Sequence, residues 1–386
     1  MIARIRLVVL LARPAVIALL AFFAITGLAQ AGQPDSVLSL GRVLAVVIGF
    51  LLFSVACNDL ADEAIDRINL PGRRPLNAGV VTRRGFTGIG LVAGIVALAA
   101  SATLGWPGVL VTATGMLISA AYSVRPVRLA DRGALASLLL PACYVAVPYL
   151  LGLIAGARTE NRPGSLIRPA DLALLGGLYL GFVGRILLKD FRDVRGDALF
   201  GKRTFLVRRG RGPTCAVSAC FWTAGTCLIL LTVRHLSPAL LVAEAACNAA
   251  ALGLLHHLSR DRGPRRDELL ISAIAIVGRG MIVILAAHLS MTDARWSALR
   301  ASLVIAALTV LTAGLVDSML RHGPAGRLTL TDSTWARLAT ATQGASHARK
   351  EPSAQAAAGA MEAAAARPAP EASRPEMTVL RVTSPA

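Results

Sequence analysis

The sequence predicts an all-α polytopic membrane bundle, and three observations carry that prediction. The chain is 55% hydrophobic and only 16% charged, with a mean hydropathy of +0.62, beyond what a soluble domain needs. Apolar runs of about 20 residues, the length that crosses a bilayer, recur along it. Lys and Arg gather in the short loops between those runs, the pattern that fixes membrane orientation. The net charge of +18 therefore reads as topology. No basic domain studded with aromatics is present, so nucleic acid is excluded as a partner and the lipid bilayer is the expected one.

Taken in order, the first span is Leu7–Ala29. It is longer than the apolar region of a signal peptide, and Pro14 is expected to kink it. Further spans are expected near 37–58, 86–104, 107–123, 134–156, 171–189, 214–233, 238–258, 268–290 and 297–320. That makes ten candidates. The one after Gly105-Trp106-Pro107-Gly108 is the weakest, so the bundle has nine to ten transmembrane helices. Loops on one side carry twenty Lys and Arg against five on the other. The rich side, with loops 59–85, 124–133, 189–212 and 259–267, is expected to face the cytoplasm. Residues 1–322 form the expected transmembrane domain. Residues 323–386, rich in Ala, Pro, Ser, Glu and Arg toward the end, read as a disordered cytoplasmic tail. The six cysteines mostly lie in apolar runs without CxxC spacing and read as small buried hydrophobes.

Two acidic stretches stand out, each ending an apolar run. The first is Asn58-Asp59-Leu60-Ala61-Asp62-Glu63-Ala64-Ile65-Asp66-Arg67. Acids at a membrane edge are rare and usually functional. If the helix continues past Cys57, Asn58, Asp62 and Asp66 fall at i, i+4 and i+8 on one face. Carboxylates stacked on one face repel each other unless a cation sits between them. The second stretch is Lys189-Asp190-Phe191-Arg192-Asp193-Val194-Arg195-Gly196-Asp197, with Asp190, Asp193 and Asp197 at i, i+3 and i+7. Oxygen-only donors without nearby His or Cys favour a hard cation, Mg²⁺ or Mn²⁺. Two such faces meeting across a cavity suit a diphosphate bridged by metal. Alone, the first cluster also reads as a solvated charged loop.

Three further segments flank these motifs: Arg73-Arg74-Pro75-Leu76-Asn77-Ala78-Gly79, Tyr122-Ser123-Val124-Arg125-Pro126-Val127-Arg128, and Gly201-Lys202-Arg203-Thr204. In this order the set resembles the UbiA superfamily of intramembrane prenyltransferases. The first motif matches as Asn58, Asp59, Asp62 and Asp66, followed by Arg74-Pro75-Leu76 and Gly79. The second matches as Asp190, Asp193 and Asp197, followed by Gly201 and Thr204. Tyr122, Pro126 and Arg128 match the loop between. The resemblance covers roughly residues 7–290.

The resemblance implies a helical bundle around a central cavity that opens to lipid. It implies metal ligation by Asn58, Asp62, Asp66, Asp190, Asp193 and Asp197, with Asp62, Asp66, Asp193 and Asp197 as the catalytic carboxylates. Two Mg²⁺ would hold an isoprenoid diphosphate. Arg67, Arg74, Tyr122, Arg128, Lys189 and Lys202 are the expected substrate-binding groups. Tyr122 equally reads as an interfacial anchor, and Arg125, Arg128 and Arg132 as positive-inside charges. Arg208, Arg209 and Arg211 read as topological. Arg185 either snorkels or meets diphosphate, and Arg279 either faces the cavity or marks a helix end.

Two features depart from the family pattern or narrow it. The family usually has nine spans, which makes 297–320 either an addition or a miscounted segment. Asp66-Arg67-Ile68-Asn69-Leu70-Pro71 resembles the version in members that alkylate homogentisate-like, chlorophyllide or glycerophosphate acceptors. The expected function is Mg²⁺-dependent transfer of a polyprenyl group to a hydrophobic or aromatic acceptor, foremost an aromatic precursor of a lipid quinone. A glycerophosphate lipid or a specialised metabolite is the alternative acceptor. From another class, a cation-coupled transporter would carry its acids mid-span on broken helices, whereas these sit at span ends beside Arg. The expected location is the cell membrane, multi-pass, with the active site toward the cytoplasm.

Overall fold

A computed structural model describes residues 13–33, 36–69, 75–77, 79–159, 167–192, 204–260 and 263–323. The described elements are helical: α1 (Pro14–Gln30), α2 (Val37–Ala61), α3 (Glu63–Asn69), α4 (Arg83–Ala102), α5 (Gly105–Ser123), α6 (Ala134–Pro141), α7 (Val147–Thr159), α8 (Pro169–Leu187), α9 (Phe205–Arg209), α10 (Arg211–Thr232), α11 (Pro238–Ser259), α12 (Pro264–Asp293) and α13 (Ala298–His322). Each expected span has its helix, and no strand occurs among the described residues. Eight helical stretches are long and apolar enough to cross a membrane. Gly105–Ser123 is not among them, and Pro14–Gln30 is shorter at 17 residues.

Local sequence sets the helix starts. Ser36, Thr82, Ser237 and Ser297 are N-caps whose side chains accept a backbone N–H three residues on. Pro169, Pro238 and Pro264 begin α8, α11 and α12, where a missing N–H costs nothing. Pro14, expected to kink the first span, stands at the start of α1, preceded by Arg13 in left-handed backbone (φ 49°). Between α6 and α7 the ladder opens into one π turn, Ala142–Ala146. Pro148 has no N–H to offer its own turn, and the Val147 N–H reaches back five residues to the Ala142 carbonyl.

Lipid tails are as apolar as Leu, so close backbone approach, rather than apolar burial, must hold these helices together. Small residues permit it. A Cβ on Gly27 would collide with the Tyr149 carbonyl, and one on Gly152 with the Ala24 carbonyl, so α1 and α7 touch backbone to backbone. Gly177, Gly184 and Gly225 do the same for α8 and α10. Large apolar side chains such as Leu91, Val92, Leu117, Leu231, Val242 and Val310 point outward, as a lipid-facing surface requires. The six cysteines are free thiols. Cys143, Cys215 and Cys247 are buried, whereas Cys220 and Cys227 lie exposed on α10.

Ion pairs tie the helix ends. Gln30, Arg168 and the Tyr149 hydroxyl converge on Asp171, which is 2% exposed, where α1 ends and α8 begins. At the other end of the bundle Arg211 grips Asp267 through two bonds of 2.9 and 2.6 Å, joining the starts of α10 and α12. Arg211, read as a purely topological charge, therefore has a structural partner. Residues 1–12 and 324–386 lie outside the described residues, and with them most of the expected tail.

Candidate active site

The first acidic motif closes α2. The helix runs to Ala61, Asp62 takes the C-cap, and α3 restarts at Glu63. The ladder is carried across the join: the Asp62 N–H donates to Asn58 O at 2.9 Å and the Asp66 N–H to Asp62 O at 2.8 Å. Asn58, Asp62 and Asp66 consequently keep one face despite the break, and all three line a cavity of about 770 Å³. Asn58 Nδ2 donates to Asp62 Oδ2 at 3.0 Å. Asp59 turns aside and pairs with Arg13 at 2.8 Å.

The second motif reaches the same cavity from α8. Past Leu187 the backbone tightens, with Lys189 N–H donating to Ile186 O and Arg192 N–H to Lys189 O. Arg185, Lys189 and Arg192 line the cavity, whereas Asp190 is 4% exposed and does not. The Lys189 ammonium donates to the Tyr122 hydroxyl at 2.9 Å and lies 5.5 Å from its ring centre. The aromatic anchor read at Tyr122 is thus a cavity-lining residue held by a cation. Arg279 also lines the cavity, which decides its role against a misplaced helix end.

Arg128 stands at φ 33°, a left-handed conformation that a bulky side chain rarely adopts. Such strain persists only where surroundings over-determine it. Here the guanidinium pairs with Asp62 at 2.7 Å and Asp131 at 2.9 Å, and donates to the Ala61 carbonyl at 3.4 Å. Both Arg128 and Asp62 side chains are under 15% exposed, so this is a partly buried ion pair at the helix break. Arg67 faces an adjoining cleft with Arg83 and Arg128, bonded to Glu63 at 2.8 Å. Arg74, Asp193, Asp197 and Lys202 lie outside the described residues.

The cavity has two walls of opposite sign. Asn58, Asp62 and Asp66 form one, with Arg13 beside it; Arg185, Lys189, Arg192 and Arg279 form the other. The Arg185 guanidinium lies 5.3 Å from the Phe182 ring centre. Such a contact contributes about 0.5–2 kcal/mol, less than the several kcal/mol it costs to withdraw an ion from water. Tyr144 stacks on Phe182 at 5.7 Å between centroids and also lines the cavity. Leu315 and Met319 of α13 complete the lining, so the tenth helix belongs to the cavity wall.

A divalent cation fits the acid wall on donor chemistry. Its groups are oxygen donors alone and face open volume, which suits a hard ion that keeps places for phosphate oxygens and water. Among the described residues no group of three His, Cys, Asp or Glu gathers; the cavity-lining face there is Asp62, Asp66 and the Asn58 amide.

The UbiA prenyltransferase family model matches residues 18–277. The chain belongs to the UbiA prenyltransferase family. It is 30% identical over 204 residues to the bacteriochlorophyll synthase 33 kDa chain of Cereibacter sphaeroides, a match covering 52% of this chain and 64% of that one. The chain thus spans less than two thirds of that relative's length. It is 31% identical to the homogentisate phytyltransferase of Synechocystis over 254 residues, 62% of this chain and 79% of the relative. Among solved structures, a digeranylgeranylglyceryl phosphate synthase aligns with a TM-score of 0.56 at 17% identity, covering 75% of this chain and 99% of that one. A UbiA homolog from Archaeoglobus fulgidus bound to DMAPP and Mg²⁺ aligns with a TM-score of 0.52 at 16% identity, covering 72% and 97%. These likenesses establish the UbiA fold, including an all-helical membrane bundle for this chain.

Proposed function

We propose that the chain is a prenyltransferase that moves an isoprenoid group from its diphosphate to a hydrophobic acceptor, with Mg²⁺ as cofactor. The observation that carries this reading is the meeting of the Asn58, Asp62 and Asp66 face with the Tyr122–Lys189 pair in one membrane cavity. Asn58, Asp62 and Asp66 would hold the ions together with Asp193 and Asp197 of the second motif, whereas Asp190, expected as a ligand, is buried away from the cavity. Bound there, Mg²⁺ supplies positive charge against the leaving diphosphate.

The chain's own residues do the rest. The allylic C–O bond breaks with its electron pair departing on the diphosphate. Lys189, oriented by Tyr122, adds a fixed positive charge beside the leaving oxygens. Arg128 holds Asp62 in place, and Arg67, Arg74 and Lys202 extend the basic rim. The Tyr144 and Phe182 faces offer π density to the allylic cation that remains. Leu19, Ile186, Ile274 and Leu315 keep water from capturing that cation. The acceptor supplies the electron pair for the new bond and releases a proton.

For the acceptor we propose an aromatic ring, as in a lipid-quinone precursor. Support comes from the homogentisate phytyltransferase of Synechocystis, whose match covers more of both chains than that to the Cereibacter protein. The site is proposed to open toward the cytoplasm, on the Lys- and Arg-rich side. The test is incubation of membranes carrying the chain with labelled geranylgeranyl diphosphate. We expect label in a lipid product with Mg²⁺, none with EDTA, and recovery on adding Mg²⁺ back. Turnover indifferent to EDTA, or no transfer from prenyl donors of any length, rejects the reading.

A further inference from the structure

Arg185 and Arg279 sit inside membrane-spanning helices, and the diphosphate chemistry just described uses neither. Their depth follows from helix geometry. Arg192 Nη2 donates to Ser272 Oγ at 3.0 Å, which fixes the level at which α8 and α12 face each other near the mouth. The helices run in opposite directions. Arg185 precedes Arg192 by seven residues and Arg279 follows Ser272 by seven. At 1.5 Å per residue both arginines lie about 10 Å further in. Both line the main cavity and also the small apolar recess beyond it, among Phe23, Trp222, Ile229 and Met281. Neither has a carboxylate partner among the described residues.

Two guanidiniums thus lie about two turns below the acid wall, in surroundings where unpaired charges are disfavoured. A diphosphate held by metal at Asp62 and Asp66 sits at the mouth, above this level. We propose that Arg185 and Arg279 bind an anionic oxygen group, a carboxylate or a phosphate, carried by the prenyl acceptor. The acceptor is then an anionic amphiphile, oriented with its reactive atom toward the mouth. This inference rests on the prenyl-transfer reading above.

The experiment uses the full-length chain in membranes, labelled geranylgeranyl diphosphate, and a lipid and pigment extract of its own host split on an anion exchanger. Acceptor activity is expected in the retained fraction and is lost after methyl esterification. Loss on phosphatase treatment marks a phosphate, and resistance to phosphatase marks a carboxylate. Arg185→Gln and Arg279→Gln are expected to raise the half-saturating amount of retained fraction about 10- to 100-fold, the strength of a charged hydrogen bond. The KM for geranylgeranyl diphosphate stays put in the same preparations, which also shows that the variants fold. Arg279→Lys, keeping the charge, recovers part of the loss. Acceptor activity in the neutral fraction, or a rise in donor KM instead, overturns the assignment while leaving prenyl transfer intact. Absence of metal-dependent transfer by the unaltered chain overturns both.

Discussion

Tyr122 and Lys189 show how much one contact decides. The ammonium has both a hydroxyl acceptor and a ring face from the same side chain. Tyr122→Phe removes the hydrogen bond and keeps the ring, so we expect kcat to fall roughly 5- to 10-fold, the worth of one such bond. Lys189→Met removes the charge as well and should cost about 100-fold or more. Steady-state kinetics of membrane preparations, normalised to inserted protein, separate the two; equal activity of both variants and the parent would remove this pair from the mechanism. The i, i+4, i+8 spacing of Asn58, Asp62 and Asp66 was readable as a shared face because a helix imposes it. Where Arg185 and Arg279 point was not, since spacing along one helix says nothing about which neighbour it packs against. The Arg211–Asp267 pair escaped for the same reason: its partners start two helices that touch only in the folded chain.

At the scale of helices, glycine does the work that large apolar cores do in water. Gly27 and Gly152 let α1 and α7 meet at backbone distance. Gly152→Leu is expected to destabilise the solubilised protein by at least 1–3 kcal/mol, because overpacked backbone contacts cannot relax cheaply. Gly253→Ala, on α11 with nothing within 4 Å of the added methyl, should be neutral or slightly stabilising. Thermal unfolding of the two variants in one detergent checks this, and an unchanged Tm for Gly152→Leu would show that α1 and α7 do not pack as described. Helix placement was legible throughout because twenty-residue apolar runs and Ser, Thr and Pro starts are local signals. The break at Asp62 and the π turn before Val147 were not, because each depends on how a continuous ladder is interrupted. Pro14 begins α1, and residues 7–12 of the expected first span lie outside the described residues.

Across the whole molecule, charge sorts the ends. The Lys- and Arg-rich loops lie at the end of the bundle that bears Asp62, Arg128 and Lys189. That asymmetry predicts a cytoplasmic mouth. A single reporter cysteine at Ser259, in an otherwise cysteine-free chain, should stay protected from impermeant maleimide in intact cells and label after permeabilisation; labelling in intact cells would invert the orientation. The tenth helix, read from sequence as either an addition or a miscounted segment, contributes Leu315 and Met319 to the cavity, a role its own composition could not reveal.

We propose that carboxylates from both motifs grip divalent ions around a diphosphate at the cavity mouth. Mn²⁺ binding followed by electron paramagnetic resonance, with a non-hydrolysable isoprenoid diphosphate analogue present, tests it most directly. We predict Mn²⁺ binding that requires the analogue and is lost in Asp62→Ala and equally in Asp193→Ala. Binding that survives both substitutions would contradict the account.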